Sequence, residues 1–195
     1  MSPSDRDAGH ADRREVIAIP APGKMPYLTL GGLLSIAPIA IAIASLGGFS
    51  SEIPVERLPA VLGLVLLIEV PIAVLLIWLS TRRRVEIVGG HLEILAAFYR
   101  RRAPLGDLDL DRARVVDLRE KRELRPRLKT NGFGLPGFAA GHFRDATGRK
   151  LFCLVTQPRN VLIPIADGSA LLLSAARPGD ALDRLRRRIP ADRRA

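Results

Sequence analysis

Two long stretches almost free of charge constrain this chain more than anything else in it. Between Lys24 and Glu52 lie 27 residues with no charged side chain, and between Arg57 and Arg82 lie 24 whose only charge is Glu69. A helix rises about 1.5 Å per residue, so either stretch can cross the ~30 Å hydrocarbon layer of a bilayer. The expectation is an integral membrane protein with two transmembrane helices, at about 26–48 and 58–80. The first stretch exceeds the roughly 7–15-residue core of a cleaved signal peptide, and a second follows it, so it reads as an uncleaved anchor.

Charge predicts the orientation. Residues 1–81 carry five basic and seven acidic side chains, a net of −2, whereas residues 82–195 carry 25 basic and 13 acidic, a net of +12. Arg82, Arg83 and Arg84 follow the second span at once, and Arg6, Arg13, Arg14 and Lys24 precede the first. The short linker Ser50–Arg57 holds only Arg57. Basic residues gather on the cytoplasmic side of a membrane, so both termini are expected there, with Arg82, Arg83 and Arg84 as the topology anchor.

Glu69 stands near the middle of the second span. A carboxylate at that depth costs ~3 kcal/mol on insertion scales. One reading makes it a relay in a membrane transport or proton-handling complex. The other makes it a protonated side chain bonded to a neighbouring helix, through Ser35 or Ser45, or within a homo-oligomer. Relays need several polar groups in file and this pair of spans has one, so the structural reading is preferred.

Beyond the arginines the pattern changes to short apolar alternations. Val85–Ile87 and Leu92–Leu95 flank Gly89-Gly90, a glycine pair suited to a tight hairpin. Leu108 and Leu110, then Val115–Leu118, Gly141–Arg144, Leu151–Thr156, Val161–Ala166 and Leu171–Leu173 continue the strand pattern. Asp145–Gly148, Gln157–Asn160 and Asp167-Gly168 supply turn residues between them. Leu182, Leu185 and Ile189 then fall at helical spacing after Pro178, with Asp180 and Asp183 early and Arg184, Arg186, Arg187 and Arg188 late, in the order a helix dipole favours. This predicts about seven strands capped by one C-terminal α-helix. The domain plan is a cytoplasmic tail over 1–24, two membrane helices within 25–81, a β domain over 82–190 and a tail over 191–195.

The densest charge away from the membrane is Arg119, Lys121, Arg122, Arg125, Arg127 and Lys129, with Glu120 and Glu123 interspersed. Such a run suits acidic lipid headgroups or an acidic protein partner, and it is also what a solvated loop looks like. Few aromatics accompany it, which argues against a base-stacking surface for nucleic acid. Arg100-Arg101-Arg102 reads as a solvated turn. Gly132-x-Gly134-x-x-Gly137 matches the dinucleotide fingerprint in letters, but it lacks the strand before and the helix after that would aim a helix N-terminus at pyrophosphate. His10, His91 and His142 have no metal-ligand spacing. The lone Cys153 alternates with Leu151 and Val155 and is expected to be a buried thiol. No nucleophile elbow is present. The expectation is therefore a protein without catalytic residues, cofactor or metal.

Thr130-Asn131-Gly132-x-Gly134-x-Pro136-Gly137, followed by Gly141-x-Phe143, carries a likeness to a known family. Together with Leu172-Leu173-Ser174 and the proline-initiated helix, it resembles the bacterial pleckstrin-homology-like (PH-like) domains attached to membrane spans, over about Arg84 to Ile189. Two departures are the missing tyrosine near the end of Leu151–Thr156 and the proline in Gln157-Pro158-Arg159-Asn160. The resemblance implies a PH-like barrel at a bacterial cell membrane and brings no catalytic set with it. The loop Gly89-Gly90-His91 has no Lys or Arg at its tip, unlike the phosphoinositide-binding hairpin of eukaryotic PH domains. The function expected is a membrane-anchored module that binds a membrane protein, a peptide or an anionic lipid surface.

Overall fold

The protein is described here from a computed structural model covering residues 15–46 and 55–188. A short strand, β1 (Glu15–Ile17), leads into helix α1 (Met25–Leu46). After a 3-10 turn at Val55–Arg57 comes helix α2 (Leu58–Thr81). Pro59 sits in the first turn of α2, where the missing N–H is no loss. The two helices pack on each other and leave Leu28, Leu33, Ile36, Ile39, Leu64, Leu67, Ile68 and Val74 exposed. Helix α2, with a mean hydropathy of 2.8, is long and apolar enough to cross a membrane. The described apolar stretch of α1, Met25–Ile41, is shorter than that length. Of the two spans expected, the structure thus offers one clear candidate and one weaker. Most of the linker and Ile189 lie outside the described residues.

Two sheets follow. Strands β2 (Arg83–Val88), β3 (His91–Ala96) and β4 (Tyr99–Pro104) join β1 in the antiparallel order β1-β2-β3-β4. Gly89 and Gly90, at φ 53° and 74°, make the β2–β3 turn in the left-handed conformation that a two-residue hairpin demands. The second sheet contains β5 (Arg114–Asp117), β6 (Leu128–Leu135), β7 (Phe138–Arg144), β8 (Lys150–Val155), β9 (Arg159–Pro164) and β10 (Ala170–Leu173), in the order β5-β9-β10-β8-β7-β6. Strand β10 inserts between β8 and β9, parallel to the first and antiparallel to the second. Helix α3 (Pro178–Arg188) closes the described chain.

The three central strands carry unbroken apolar runs, 151–155, 161–164 and 170–173, because both faces of the sheet are covered there. Phe152, Leu154, Val161, Ile163, Leu171 and Leu173 face a core shared with Val85, Leu92 and Ile94 of the first sheet and with Leu182 and Leu185 of α3. Their neighbours Leu151, Cys153, Val155, Leu162, Ala170 and Leu172 face the opposite way, into a second core closed by Val116, Leu118, Leu124 and Phe143. Alternate side chains point to opposite faces, so a sheet covered on both sides needs apolar residues at every position. Leu79, in the last turn of α2, is buried in the first core, so the helix end and the β domain share packing. Burial pushes the Cys153 thiol well above its ordinary pKa, the charge of Asp145 adding to it.

Several expectations are corrected. Nine strands follow α2 among the described residues, where about seven were expected. The two sheets are hydrogen-bonded separately, so the expected single barrel is not closed. Arg100, Arg101 and Arg102 lie within β4, not in a turn, and pair with Leu95, Ile94 and Glu93. Leu108 makes only an isolated bridge, to Ile165. Asn131–Phe138 has the composition of a loop, yet Asn131–Leu135 forms most of β6 and Phe138 opens β7. The supposed N-terminal tail contributes β1, whose Glu15 is held by Arg188 at 3.2 Å and Arg184 at 3.9 Å.

The glycine motif has a structural account. It lies across the β6–β7 hairpin, with Pro136-Gly137 as a two-residue turn and Gly137 at φ 81°. Strand β7 follows where a dinucleotide site needs a helix. Gly132 and Gly141 stand opposite each other, Phe143 lies over Gly132 and Gly134, and Tyr99 of the first sheet lies over Gly141. The His142 ring meets Tyr99 and Phe152 edge-on, at 6.4 and 5.0 Å between centroids. Burial, helped by the charge of Arg101, holds that imidazole below its usual pKa.

Candidate membrane-facing site

Strand β1 precedes α1 and β2 follows α2, yet the two strands are paired, Val16 opposite Glu86. The beginning of α1 and the end of α2 therefore lie at one end of an antiparallel helix pair, against the β domain. Tyr27 Oη and Ser80 Oγ stand 3.3 Å apart at that end.

Around this junction the structure collects amphipathic groups. The Arg82 guanidinium stacks on Trp78, 4.0 Å from the ring centroid, a cation–π contact of the kind that keeps an arginine beside an apolar helix. Arg83 donates to the Ser80 carbonyl at 2.6 Å, capping α2, and Arg84 pairs with Glu86 at 2.8 Å. The β3–β4 turn reaches the same place, because the Ala97 amide donates to the Arg82 carbonyl. Next to Ala97, which has φ 57°, Phe98 is 62% exposed. An exposed aromatic ring beside the end of an apolar helix suits the headgroup level of a bilayer.

The turn of the β6–β7 hairpin meets the other helix. A side chain at Gly137 would stand 3.7 Å from Met25 Cβ and from Pro26 Cδ. Between this turn, the first turn of α1 and the segment after β5 runs a groove of about 470 Å³. Leu118, Leu135, Phe138 and Val155 give it an apolar lining, and Arg119, Arg125, Thr156 and Gln157 add polar groups.

The groove divides the six basic residues singled out in the sequence. All six are exposed, but only Arg119 and Arg125 line the groove. Arg125 donates through Nε to the Leu118 carbonyl, and Arg119 makes no side-chain contact with an acid among the described residues. Lys129 lies six residues back along β6 from Leu135, about 20 Å at strand rise. The Arg127 amide bonds the Arg144 carbonyl, at the end of β7 away from the turn. Arg122 opens the short 3-10 segment that ends at Leu124, and Lys121 precedes it.

Residues 156–158, between β8 and β9, form part of the groove wall and are braced from inside. Asn160, fully buried, donates to the Gln157 and Pro158 carbonyls at 2.8 and 2.9 Å and accepts from Ser174 Oγ at 2.6 Å. Ser174 Oγ in turn accepts from the Thr156 amide at 2.8 Å. One atom stands out from this satisfied network. Thr156 Oγ1 is buried and has no hydrogen-bond partner, although buried hydroxyls are nearly always paired.

Glu69 is half-buried on α2, with no hydrogen bond or ion pair among the described residues. The Ser35 hydroxyl, one partner expected for it, donates to the Gly31 carbonyl of its own helix at 2.8 Å. The side chain of Ser45 lies outside the described residues.

No family model, curated protein or solved structure matches this chain. Phe98 and Thr156 could not be singled out in the sequence. The first sits among Ala-Ala-Phe-Tyr without a turn residue, and the second is one more polar residue at a strand end.

Proposed function

We propose that this chain is a membrane-anchored interaction module, in which two membrane crossings hold a PH-like domain against the cytoplasmic face of a bacterial cell membrane. The β1–β2 pairing carries this reading. If α2 crosses the bilayer, α1 must cross back, because the strands on either side of the helix pair are neighbours in one sheet. Two packed sheets and a helix over the shared core support the PH-like assignment for 82–190. Arg82, Arg83, Arg84, Arg119 and Arg125 at the helix-proximal end favour the side with anionic lipid and basic loops. The module presents exposed strands and basic loops to a membrane protein, a peptide or anionic lipid, and no catalytic role is assigned to any residue. Glu69 serves as a structural polar group, so Glu69→Gln should leave membrane insertion and assembly nearly unchanged. Loss of a cellular activity in that variant with assembly intact would favour a transport or proton-handling subunit.

The orientation has a direct test. A reporter enzyme active only outside the cytoplasm should be silent when fused after Ala195 and active when placed in the linker between the helices. Strong activity at the C-terminal fusion would overturn the placement of the whole β domain.

A further inference from the structure

We propose that the groove between the first turn of α1 and the β domain is a binding site for one anionic phospholipid, which enters headgroup first from the cytoplasmic leaflet. This deepens the membrane-anchored reading and rests on it. One wall of the groove is Gly23, Met25 and Pro26, where the chain passes from polar segment to apolar helix, and the opposite wall is β domain. In a chain whose helices cross a bilayer, that is the level of the lipid headgroups.

The chemistry matches an anionic amphiphile. Leu118, Phe138 and Val155 offer apolar surface to the upper part of an acyl chain or the glycerol backbone. Arg119 and Arg125 bring two guanidinium groups to the same groove, and guanidinium is the side chain that best matches phosphate oxygens. Neither forms an ion pair with an acid among the described residues, so their charge is available to a ligand. The Thr156 hydroxyl, a residue of the same lining, is buried without a partner and can bond a headgroup oxygen. A volume of about 470 Å³ lies within the range of small-molecule sites and fits a headgroup with its first methylenes, far less than a whole lipid. The acyl tails would then stay in the bilayer alongside the exposed side of α1.

Native mass spectrometry of the full chain in mild detergent tests this, with phosphatidylglycerol, phosphatidylcholine and inorganic phosphate as separate probes. One phosphatidylglycerol per chain should be retained at least tenfold more tightly than phosphatidylcholine, and millimolar inorganic phosphate should not displace it. Arg119→Glu should weaken retention at least tenfold. Gly23→Trp tests the cavity without altering charge, because Gly23 lines the groove and a Cβ there would meet nothing within 4 Å. It too should reduce retention at least tenfold. Arg127→Glu with Lys129→Glu removes more charge away from the groove and should have little effect. Equal retention by wild type, Arg119→Glu and Gly23→Trp would overturn the site. Loss only in the Arg127/Lys129 variant would also overturn it, while leaving the membrane-anchored reading intact with diffuse electrostatics. Displacement by inorganic phosphate would point to a soluble anion and reject the lipid. Release of the chain from membranes by alkaline carbonate would instead sink the anchored reading itself.

Discussion

Replacing Gly141 by valine should destabilise the β domain by about 3–5 kcal/mol, combining backbone strain with overpacking. Gly141 has φ 105°, a conformation that β-branched residues essentially never adopt. A Cβ there would stand 2.7 Å from the Tyr99 ring, 2.8 Å from the Asn131 carbonyl oxygen and 2.8 Å from Gly132 Cα. Two of those neighbours are backbone of the paired strand and cannot move without opening the hairpin. The third belongs to the other sheet, so relief there would separate the two sheets. Gly179→Ala is the matched control, since its Cβ would meet nothing within 4 Å. Thermal unfolding of the full chain in detergent should show a large drop in the midpoint for Gly141→Val and no drop for Gly179→Ala. Similar midpoints for Gly141→Val and wild type would mean that the strands do not approach so closely.

A second large effect is expected at Asp145, and it should depend on pH. Its side chain is fully buried in the β7–β8 turn. It accepts bonds from the Thr147 amide at 2.9 Å, the Thr147 hydroxyl at 2.6 Å and the Arg149 amide at 3.0 Å, and it pairs with the Arg149 guanidinium at 3.1 Å. Burial by itself raises the carboxyl pKa, but the Thr147 hydroxyl, the two amides and the Arg149 charge outweigh it and hold the group below 3.8. A carboxyl depressed in the folded state contributes stability that is fully present above its unfolded pKa and is lost as pH falls through the folded value. Asp145→Asn should therefore cost about 2–3 kcal/mol near neutral pH, since it leaves donors poorly matched and a cation unpaired. That difference should begin to shrink as pH falls below about 4, where the unfolded carboxyl starts to protonate, and go on shrinking as pH falls through the lower folded value. Denaturant titrations at several pH values measure it. A difference that stays constant down to strong acid would show that the ionised carboxylate is not its source.

Much of the architecture was legible in the sequence because its signals are local. The two apolar stretches, the Gly89-Gly90 hairpin, the strands from Leu151 to Leu173 and the amphipathic helix after Pro178 each carry their own pattern. The misses share a physical cause. Strand β4 is Tyr-Arg-Arg-Arg-Ala-Pro, with only Ala103 buried, so its backbone pairing with β3 is not announced by apolar alternation. Its charges are instead partnered, Arg101 with Asp167 and Arg102 with Glu93. Strand β6 lies at a sheet edge, is exposed over Leu128–Asn131 and contains two glycines, which gives it the composition of a loop. Strand β1 has three residues, too few for any periodicity. The basic run was visible as composition. Which of its members meet the groove depends on where β6 and the segment after β5 run in space, and six charges in a row do not encode that.

The β1–β2 pair also bears on how the chain is made. Strand β1 leaves the ribosome first, but its partner emerges only after both apolar helices have been synthesised. In a chain that crosses the bilayer twice, β1 must wait unpaired on one side until the second helix returns to it. A nascent chain that inserted only one helix, or left the first lying on the surface while the second crossed, would put the two strands on opposite sides of the membrane. Its sheet would lack an edge strand, and Glu15 could not reach Arg188. If both helices cross, completion of the sheet would act as proofreading for insertion, rewarding only those chains whose helices had crossed as a pair.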